Sequence, residues 1–189
     1  MKKLTFSLFF AAAFSFAGFA QTVATTEFSA GSIDRLNNEK TTGTIKLMFK
    51  ARGVIIFVNT AGKKEQLSPN DLAGFQVSND TYTSYASDFY KIQTKGAKMN
   101  LLQRVTDNSG KIFYNGSQAV NSSSLSGKVG DMYLQKASSD EFLLVSAANF
   151  ELLAGSVFAD CPSISAEIKN KQIGFAQLSA AVERYNTCK

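Results

Sequence analysis

Asp160-Cys161-Pro162 and Arg184-Tyr185-Asn186-Thr187-Cys188 bound a stretch of helical character at the end of the chain. The two cysteines are the only ones in the sequence, and they lie 27 positions apart. They have no Cys-x-x-Cys spacing and no histidine to help them bind zinc. We therefore predict a Cys161–Cys188 disulfide, as expected in an exported chain. Closing a loop of this length stabilises a small domain by about 3 kcal/mol.

Apolar residues of helical period follow Glu141 and predict a helical region over about 147–189. They fall into three stripes, which are Phe150, Leu153, Val157 and Phe158, then Ile164 and Ile168, then Phe175, Leu178, Val182 and Tyr185. Asp160 or Ser163 is placed to cap the second helix. The predicted disulfide brackets the last two helices and would pin them as a hairpin.

The chain over about 31–140 has the patterns of β-strands. Residues 42–50 alternate apolar and polar, as in a half-buried strand, and residues 54–58 are apolar throughout, as in a strand covered on both faces. Further extended segments are 72–77, 82–85, 89–94, 99–105, 112–114 and 132–135. Short glycine-bearing connections favour hairpins. We predict one α+β domain over 31–189, with an antiparallel curled sheet or partial barrel followed by two to three helices.

Three connections interrupt this pattern. Ser68-Pro69-Asn70-Asp71 is typical of a capped helical turn or a type I turn. Asp107-Asn108-Ser109-Gly110 predicts a turn between strands. Residues 115–130 are the most loop-like and predict an exposed excursion between the last two strands, either a surface insertion or a binding loop.

The start of the chain has the three parts of a secretory signal. Lys2-Lys3 precedes an apolar run over 4–17, and Gly18-Phe19-Ala20 supplies small residues at a cleavage site. We predict a signal peptide over 1–20, a lead-in over 21–30, and an exported protein, periplasmic or extracellular. Gln21 excludes a lipid-bearing cysteine there, and no later run is long enough to span a membrane.

The composition excludes several chemistries. Histidine is absent, which removes Ser-His-Asp and Cys-His catalysis and histidine-ligated metals. The acidic residues are scattered, with Asp140-Glu141 the only adjacent pair, and the basic residues are too dispersed for nucleic acid. We predict no catalytic residue, metal ligand or cofactor.

The densest aromatic stretch contains Tyr82, Tyr85, Phe89 and Tyr90. These rings either pack the core and the sheet surface or form a surface that stacks against sugars or peptides. We take them as the first candidate for a ligand-binding face.

Five short motifs, spread over most of the chain after the leader, are similar to motifs of a known group of proteins. They are Gly43-Thr44-Ile45, the stretch Ser68-Pro69-Asn70-Asp71-Leu72-Ala73-Gly74-Phe75, Tyr133-Leu134-Gln135-Lys136, Asp160-Cys161-Pro162 and Tyr185-Asn186-Thr187-Cys188. The chain resembles a loosely defined group of exported bacterial proteins of unknown function. Ser68 and Leu72 stand where that group usually has Thr and Ile. The resemblance implies export, the disulfide and a shared fold, and it implies no activity.

These observations favour an exported, non-catalytic envelope protein that binds a protein, glycan or lipid partner or has a structural role. One alternative is a carboxylate-based hydrolase of envelope polysaccharide or peptide, which requires converging acids with one raised pKa. A weaker alternative is a carrier of lipid or apolar ligands, which requires a cavity lined by residues such as Ile45, Leu47, Phe49 and Phe57.

Overall fold

A computed structural model describes residues 27–115, 118–121 and 124–188 of the chain. The predicted signal peptide and residues 21–26 of the predicted lead-in lie outside these described residues. Within them, a large antiparallel sheet is followed by helices, and Cys161 is bonded to Cys188. The predicted α+β fold and its disulfide are thus confirmed.

Twelve strands lie in the described residues. They are β1 (Ser29–Arg35), β2 (Lys40–Met48), β3 (Val54–Asn59), β4 (Lys64–Leu67), β5 (Leu72–Val77), β6 (Asp80–Tyr85), β7 (Asp88–Thr94), β8 (Met99–Arg104), β9 (Ile112–Asn115), β10 (Gln118–Asn121), β11 (Met132–Lys136) and β12 (Leu143–Val145). Ten of them form one sheet in the order β12-β11-β8-β7-β6-β5-β1-β2-β3-β4, and β9 pairs with β10 as a separate hairpin. The large sheet is curled but not closed, because β4 and β12 are its edges.

Four α-helices accompany these strands. They are α1 (Phe49–Arg52), α2 (Phe150–Val157), α3 (Pro162–Lys169) and α4 (Leu178–Thr187), with a 3₁₀ turn over Phe175–Gln177 before α4. The helix α3 begins with Pro162 after Cys161, and no side chain caps it. The prediction that Asp160 or Ser163 caps this helix is wrong, because the Asp160 carboxylate accepts hydrogen bonds from Tyr185 instead.

Glycines on β1 and β2 allow the backbone of neighbouring strands to lie close to them. Gly31 of β1 lies opposite Gly43 of β2. A Cβ atom on Gly31 would collide with the carbonyl oxygen of Gln76, and one on Gly43 would collide with that of Val58. Side chains at these two positions would therefore force the neighbouring strands apart.

The concave face of β1–β7 holds the first core. Its buried members are Ile33, Ile45, Ile55, Phe57, Leu67, Leu72, Phe75, Val77, Tyr82 and Phe89. The rings of Phe75 and Tyr82 stack with centroids 4.6 Å apart, and Phe89 meets Phe75 edge-on at 5.1 Å. The strands therefore wrap around a filled aromatic and aliphatic interior.

The helices cover β8, β11 and β12 and form the second core. Met99, Leu101 and Leu134 of the strands pack against apolar side chains of the helices, including Phe158 and Val182. All three predicted helical stripes contribute to this core. The disulfide ties the start of α3 to the end of α4, as predicted.

Three expectations about the strands need correction. The lead-in is not irregular throughout, since Ser29 and Ala30 already pair with β2. Residues 115–130 are not all loop, because β10 lies within them, although residues 116, 117, 122 and 123 lie outside the described residues. A short strand, β12, precedes the helices where only a change to helical period was expected.

Candidate functional site

An open cleft of about 450 Å³ lies between two turns and a strand of the fold. We call it the turn cleft. One wall is the turn between β4 and β5, a second is the turn between β6 and β7, and a third is β9. Side chains along these walls include Leu36, Asn70, Asp71, Tyr85, Phe113 and Tyr114.

The turn before β5 forms a rigid wall of the turn cleft. The Asp71 backbone N–H donates to the Ser68 carbonyl oxygen at 3.1 Å, which closes the turn. Asp71 Oδ2 in return accepts from the Ser68 backbone N–H at 2.7 Å and from Ser68 Oγ at 2.6 Å. The turn chemistry predicted for Ser68-Pro69-Asn70-Asp71 is confirmed, and it holds the Asn70 side chain in place.

The opposite wall is the two-residue hairpin turn between β6 and β7. Ala86 and Ser87 both have positive φ, at 43° and 62°, as a tight hairpin turn requires. Ser87 Oγ donates to Asn70 Oδ1 at 3.1 Å and so joins the two walls. Asn108 Nδ2 donates to the Ser87 carbonyl oxygen at 2.9 Å and supports the turn from behind.

Two polar atoms of the cleft residues are buried without a partner in the described chain. They are Asn70 Nδ2 and Ser84 Oγ. Exchanging the oxygen and nitrogen of the Asn70 amide does not remove the mismatch, because Ser87 can satisfy only one of the two atoms. A buried donor or acceptor without a partner costs about 1–3 kcal/mol. These atoms would gain the most from a polar ligand.

The rim of the turn cleft carries large exposed apolar side chains. Tyr114 is 72% exposed and Leu36 is 64% exposed. On the inner side, the Tyr85 ring stacks on Phe142 with centroids 4.2 Å apart. The cleft thus combines a free aromatic ring, a fixed one and unsatisfied polar atoms, which is the usual composition of a small-ligand site.

The four aromatic residues singled out in the sequence do not form one surface. Tyr82 and Phe89 belong to the first core, whereas Tyr90 packs on the opposite face of the sheet beside Tyr133. Phe89 and Tyr90 have no exposed surface. Tyr85 lines the turn cleft and Tyr82 lines a different cleft, so a role in binding stays a prediction.

That second cleft bears on the carrier alternative. It has a volume of about 570 Å³ and lies beside α1, with Leu47 and Phe49 in its wall. Ile45 and Phe57 are each only 1% exposed and belong to the filled first core. The four residues therefore do not surround one interior cavity of the kind that the carrier requires.

The described carboxylates do not form the arrangement that a hydrolase requires. The turn cleft and the cleft beside α1 each contain one acidic side chain, Asp71 and Asp80 respectively. Hydrogen bonds from Ser109 lower the pKa of Asp107, and the hydrogen bond from Tyr185 lowers that of Asp160. A general acid needs a shift in the opposite direction.

A buried ion pair lies behind the turn cleft. Arg104 Nη2 donates to Asp88 Oδ2 at 2.7 Å, and both side chains are almost completely buried. The Arg104 and Asp88 polar atoms are all engaged by the surrounding chain. A fully satisfied pair of this kind holds loops in place and leaves no group free to meet a ligand.

No family model, curated protein or solved structure matches the chain in comparisons with each. Among residues 27–115, 118–121 and 124–188, no helix is long and apolar enough to cross a bilayer. In the same residues, no three or more acidic or cysteine side chains gather where they could hold a metal ion. The function is therefore argued from the turn cleft itself.

The sequence patterns predict one wall of this cleft, the turn at Ser68, and they do not predict that the other walls lie beside it. The turn at Ser68 was recognised from its residue types, and Tyr85 was named among the aromatic candidates. Tyr114 was seen only as the end of a strand. Its exposure depends on the separation of β9 and β10 from the large sheet, which no local pattern signals.

Proposed function

We propose that the protein is an exported, non-catalytic binding module and that the turn cleft is its binding site. The observation that carries this proposal is the pair of buried, unpartnered polar atoms, Asn70 Nδ2 and Ser84 Oγ, in a cleft that has the exposed Tyr114 ring at its rim. Such polar atoms cost stability unless a ligand or water pairs with them. Sites that bind at a cost to stability are a common feature of functional surfaces.

Export is supported by the leader predicted from the sequence and by the Cys161–Cys188 bond, since such bonds persist in oxidising compartments. The resemblance to exported bacterial proteins agrees with this proposal. A carboxylate-based hydrolase has less support, because the turn cleft offers one acid, Asp71, and its Oδ2 is already engaged by Ser68.

Photocrosslinking in the native envelope tests the proposal. A photoreactive phenylalanine derivative replaces Tyr114, and in a matched variant it replaces Leu152, which is 82% exposed on α2 and does not line the turn cleft. We expect a defined adduct from position 114 and only background from position 152, with proteins, glycans and lipids all analysed. Equal adducts from both positions, or none from either, would contradict a binding role for the cleft.

A further inference from the structure

We propose that the turn cleft takes a neutral carbohydrate, an inference that rests on the proposed role of this cleft as the binding site. A pyranose ring has a face of C–H groups and a rim of hydroxyl groups. It therefore needs an aromatic or aliphatic surface to stack on and nearby groups that can both donate and accept hydrogen bonds. The turn cleft supplies both.

The stacking surface is at the rim. Tyr114 leaves 72% of its surface exposed, although a ring of this size is normally at least half buried in a folded chain. Leu36, 64% exposed, lies along the same cleft. A sugar ring placed over Tyr114 would cover apolar surface that the fold itself leaves in water.

The hydrogen-bonding groups lie deeper. Asn70 and Ser84 line the cleft, and the Asn70 amide N–H group and the Ser84 hydroxyl group are buried there without a partner in the described chain. Asp71 uses Oδ2 to hold the Ser68 turn, and its Oδ1 has no partner among the described residues. Sugar hydroxyl groups can accept from an amide and donate to a carboxylate at once, so a single ligand type can satisfy this mixed set.

The charge of the cleft selects among sugars. Asp71 is the sole charged side chain along the described walls, and neither lysine nor arginine lines them. Phosphorylated, sulfated or uronic glycans would bring like charge toward Asp71 without a cation to offset it. A neutral glycan avoids this repulsion, and its binding should depend little on salt.

A peptide is the competing ligand. Peptides often bind by adding a strand to an open sheet edge. The two large-sheet strands beside the cleft, β5 and β6, are hydrogen-bonded to neighbours on both sides, which leaves no edge there. β9 has only β10 as a neighbour, so peptide binding along β9 is the outcome that the experiment must distinguish.

The experiment presents the mature chain to an array of neutral and acidic glycans and, separately, to a panel of unstructured peptides. Binding of the best glycan is then measured by titration, with the backbone NMR signals of Ser87, Phe113 and Tyr114 as local reporters. We expect a neutral oligosaccharide to bind, to shift these signals, and to bind at least about tenfold more weakly to the Tyr114→Ala variant. Tyr114→Phe keeps the stacking ring and should retain most of the affinity.

Ile112→Ala is the matched control, because Ile112 is also exposed on β9, at 54%, but does not line the turn cleft. Glycan binding that is equally strong in Tyr114→Ala, or a preference for acidic glycans, overturns the inference. A peptide that shifts the cleft signals while no glycan does so overturns the carbohydrate but leaves the proposed binding function standing. If neither class shifts these signals at millimolar concentration, the carbohydrate inference fails, and the adduct expected from position 114 in the envelope decides the proposed binding function separately.

Discussion

The Arg104 side chain has a partner for each of its five N–H groups. Nε donates to the Thr106 carbonyl oxygen, Nη1 donates to those of Leu125 and Gly127, and Nη2 donates to the carboxylates of Asp88 and Asp107. Burial has the largest single effect and lowers the pKa of Arg104, but the Asp88 carboxylate together with smaller effects of Tyr133, Tyr90 and Asp107 outweighs it, and the pKa is raised. Arg104 therefore joins the loop after β8 to the loop before β11.

The variant Asp88→Asn tests this role. Asp88 Oδ1 accepts from Thr106 Oγ1 and the Asn108 backbone N–H, while Oδ2 accepts from Arg104. In the variant, the NH₂ group of the new amide must face groups that donate hydrogen bonds to Asp88, either Arg104 or the Thr106 hydroxyl group and the Asn108 backbone N–H group. Arg104 also loses its buried counter-charge. We expect the free energy of unfolding to fall by about 3–5 kcal/mol, measured by urea denaturation at neutral pH.

The control for this change is Asp34→Asn. Asp34 pairs with Lys40 at 3.6 Å, and both side chains are about half exposed, so its loss should cost less than about 1 kcal/mol. Equal losses in the two variants would show that the buried pair contributes no more than a surface one.

The Asp88–Arg104 pair could not have been predicted from the sequence. The two residues are separated by 16 positions and meet only because β7 pairs with β8. In the sequence they are two among many scattered charges. The same holds for Asn70 and Ser87, which come together through the pairing of β5 with β6. Local chemistry identified the turn itself, because serine and aspartate bond to their own backbone regardless of the rest of the fold.

At the scale of elements, one amide side chain adds hydrogen bonds to the apolar packing that holds α4 against the sheet. Asn186 Oδ1 accepts from the backbone N–H groups of Lys98 and Met99, each at 2.9 Å. Its Nδ2 donates to the carbonyl oxygens of Met99 and Val182. A Cβ atom on Gly96 would collide with this amide, so the glycine is needed for the close approach. Asn186 is the second-last residue of α4.

The variant Asn186→Ala should release the start of β8 from α4. It leaves the two N–H groups and the Met99 carbonyl oxygen without their partner, which we expect to cost about 1–3 kcal/mol of unfolding free energy. Hydrogen exchange at Lys98 and Met99 should also become faster. Thr187→Ala, which removes one exposed hydrogen bond to the Arg184 carbonyl oxygen, is the control and should leave this exchange unchanged. Unaltered protection in Asn186→Ala would show that other contacts hold the element.

Individual elements were predicted well where their side chains alternate or repeat clearly. Strand β3 is apolar over residues 54–58 and is buried over its first four residues, as expected. The helical stripe of Leu178, Val182 and Tyr185 is buried along α4. The missed strands are short: β4 has the polar residues Lys64, Glu65 and Gln66, and β12 has three residues at a sheet edge. Such strands depend on their neighbours and not on their own pattern.

At the scale of the whole molecule, the strand order could not be predicted from the sequence. β1 lies between β2 and β5, so the chain returns to its own first strand after three others have formed. Hairpin signals predict only sequential pairs such as β2 with β3. The position of β1 depends on long-range packing, including the pairing of Ile33 with Phe75 in the first core.

The free energy of unfolding depends on pH through ionisable groups in several elements. One of these groups, Tyr185 of α4, bonds to another, Asp160, which lies before α3. Its hydroxyl group donates to Asp160 Oδ1 at 2.8 Å, which lowers the pKa of that carboxyl group. Burial, followed by the bond to Asp160, raises the pKa of Tyr185 to about 12. The carboxylate therefore stabilises the fold above its unfolded pKa of about 4, and this contribution is lost as pH falls through the lower folded value.

The contribution of Tyr185 to stability depends on pH in the opposite direction, because its pKa is raised and not lowered. Its stabilisation is fully present below its unfolded pKa of about 10 and is lost as pH rises through about 12. Burial also raises the pKa values of Tyr82 and Tyr90, so the native state as a whole should weaken in strong alkali. A variant is needed to separate the Tyr185–Asp160 bond from these other groups.

Tyr185→Phe is that variant, because it keeps the ring that meets Phe158 edge-on at 5.2 Å and removes only the hydroxyl group. We expect the wild-type chain to be more stable than the variant by a constant amount between about pH 5 and pH 9, with the difference shrinking on both sides. Urea denaturation across pH measures it. Tyr114→Phe, which changes an exposed hydroxyl group, should show no difference from wild type at any pH. A Tyr185→Phe difference that stays constant into strong acid and strong alkali would contradict the linkage, since it would mean that neither ionisation is coupled to the bond between α4 and Asp160.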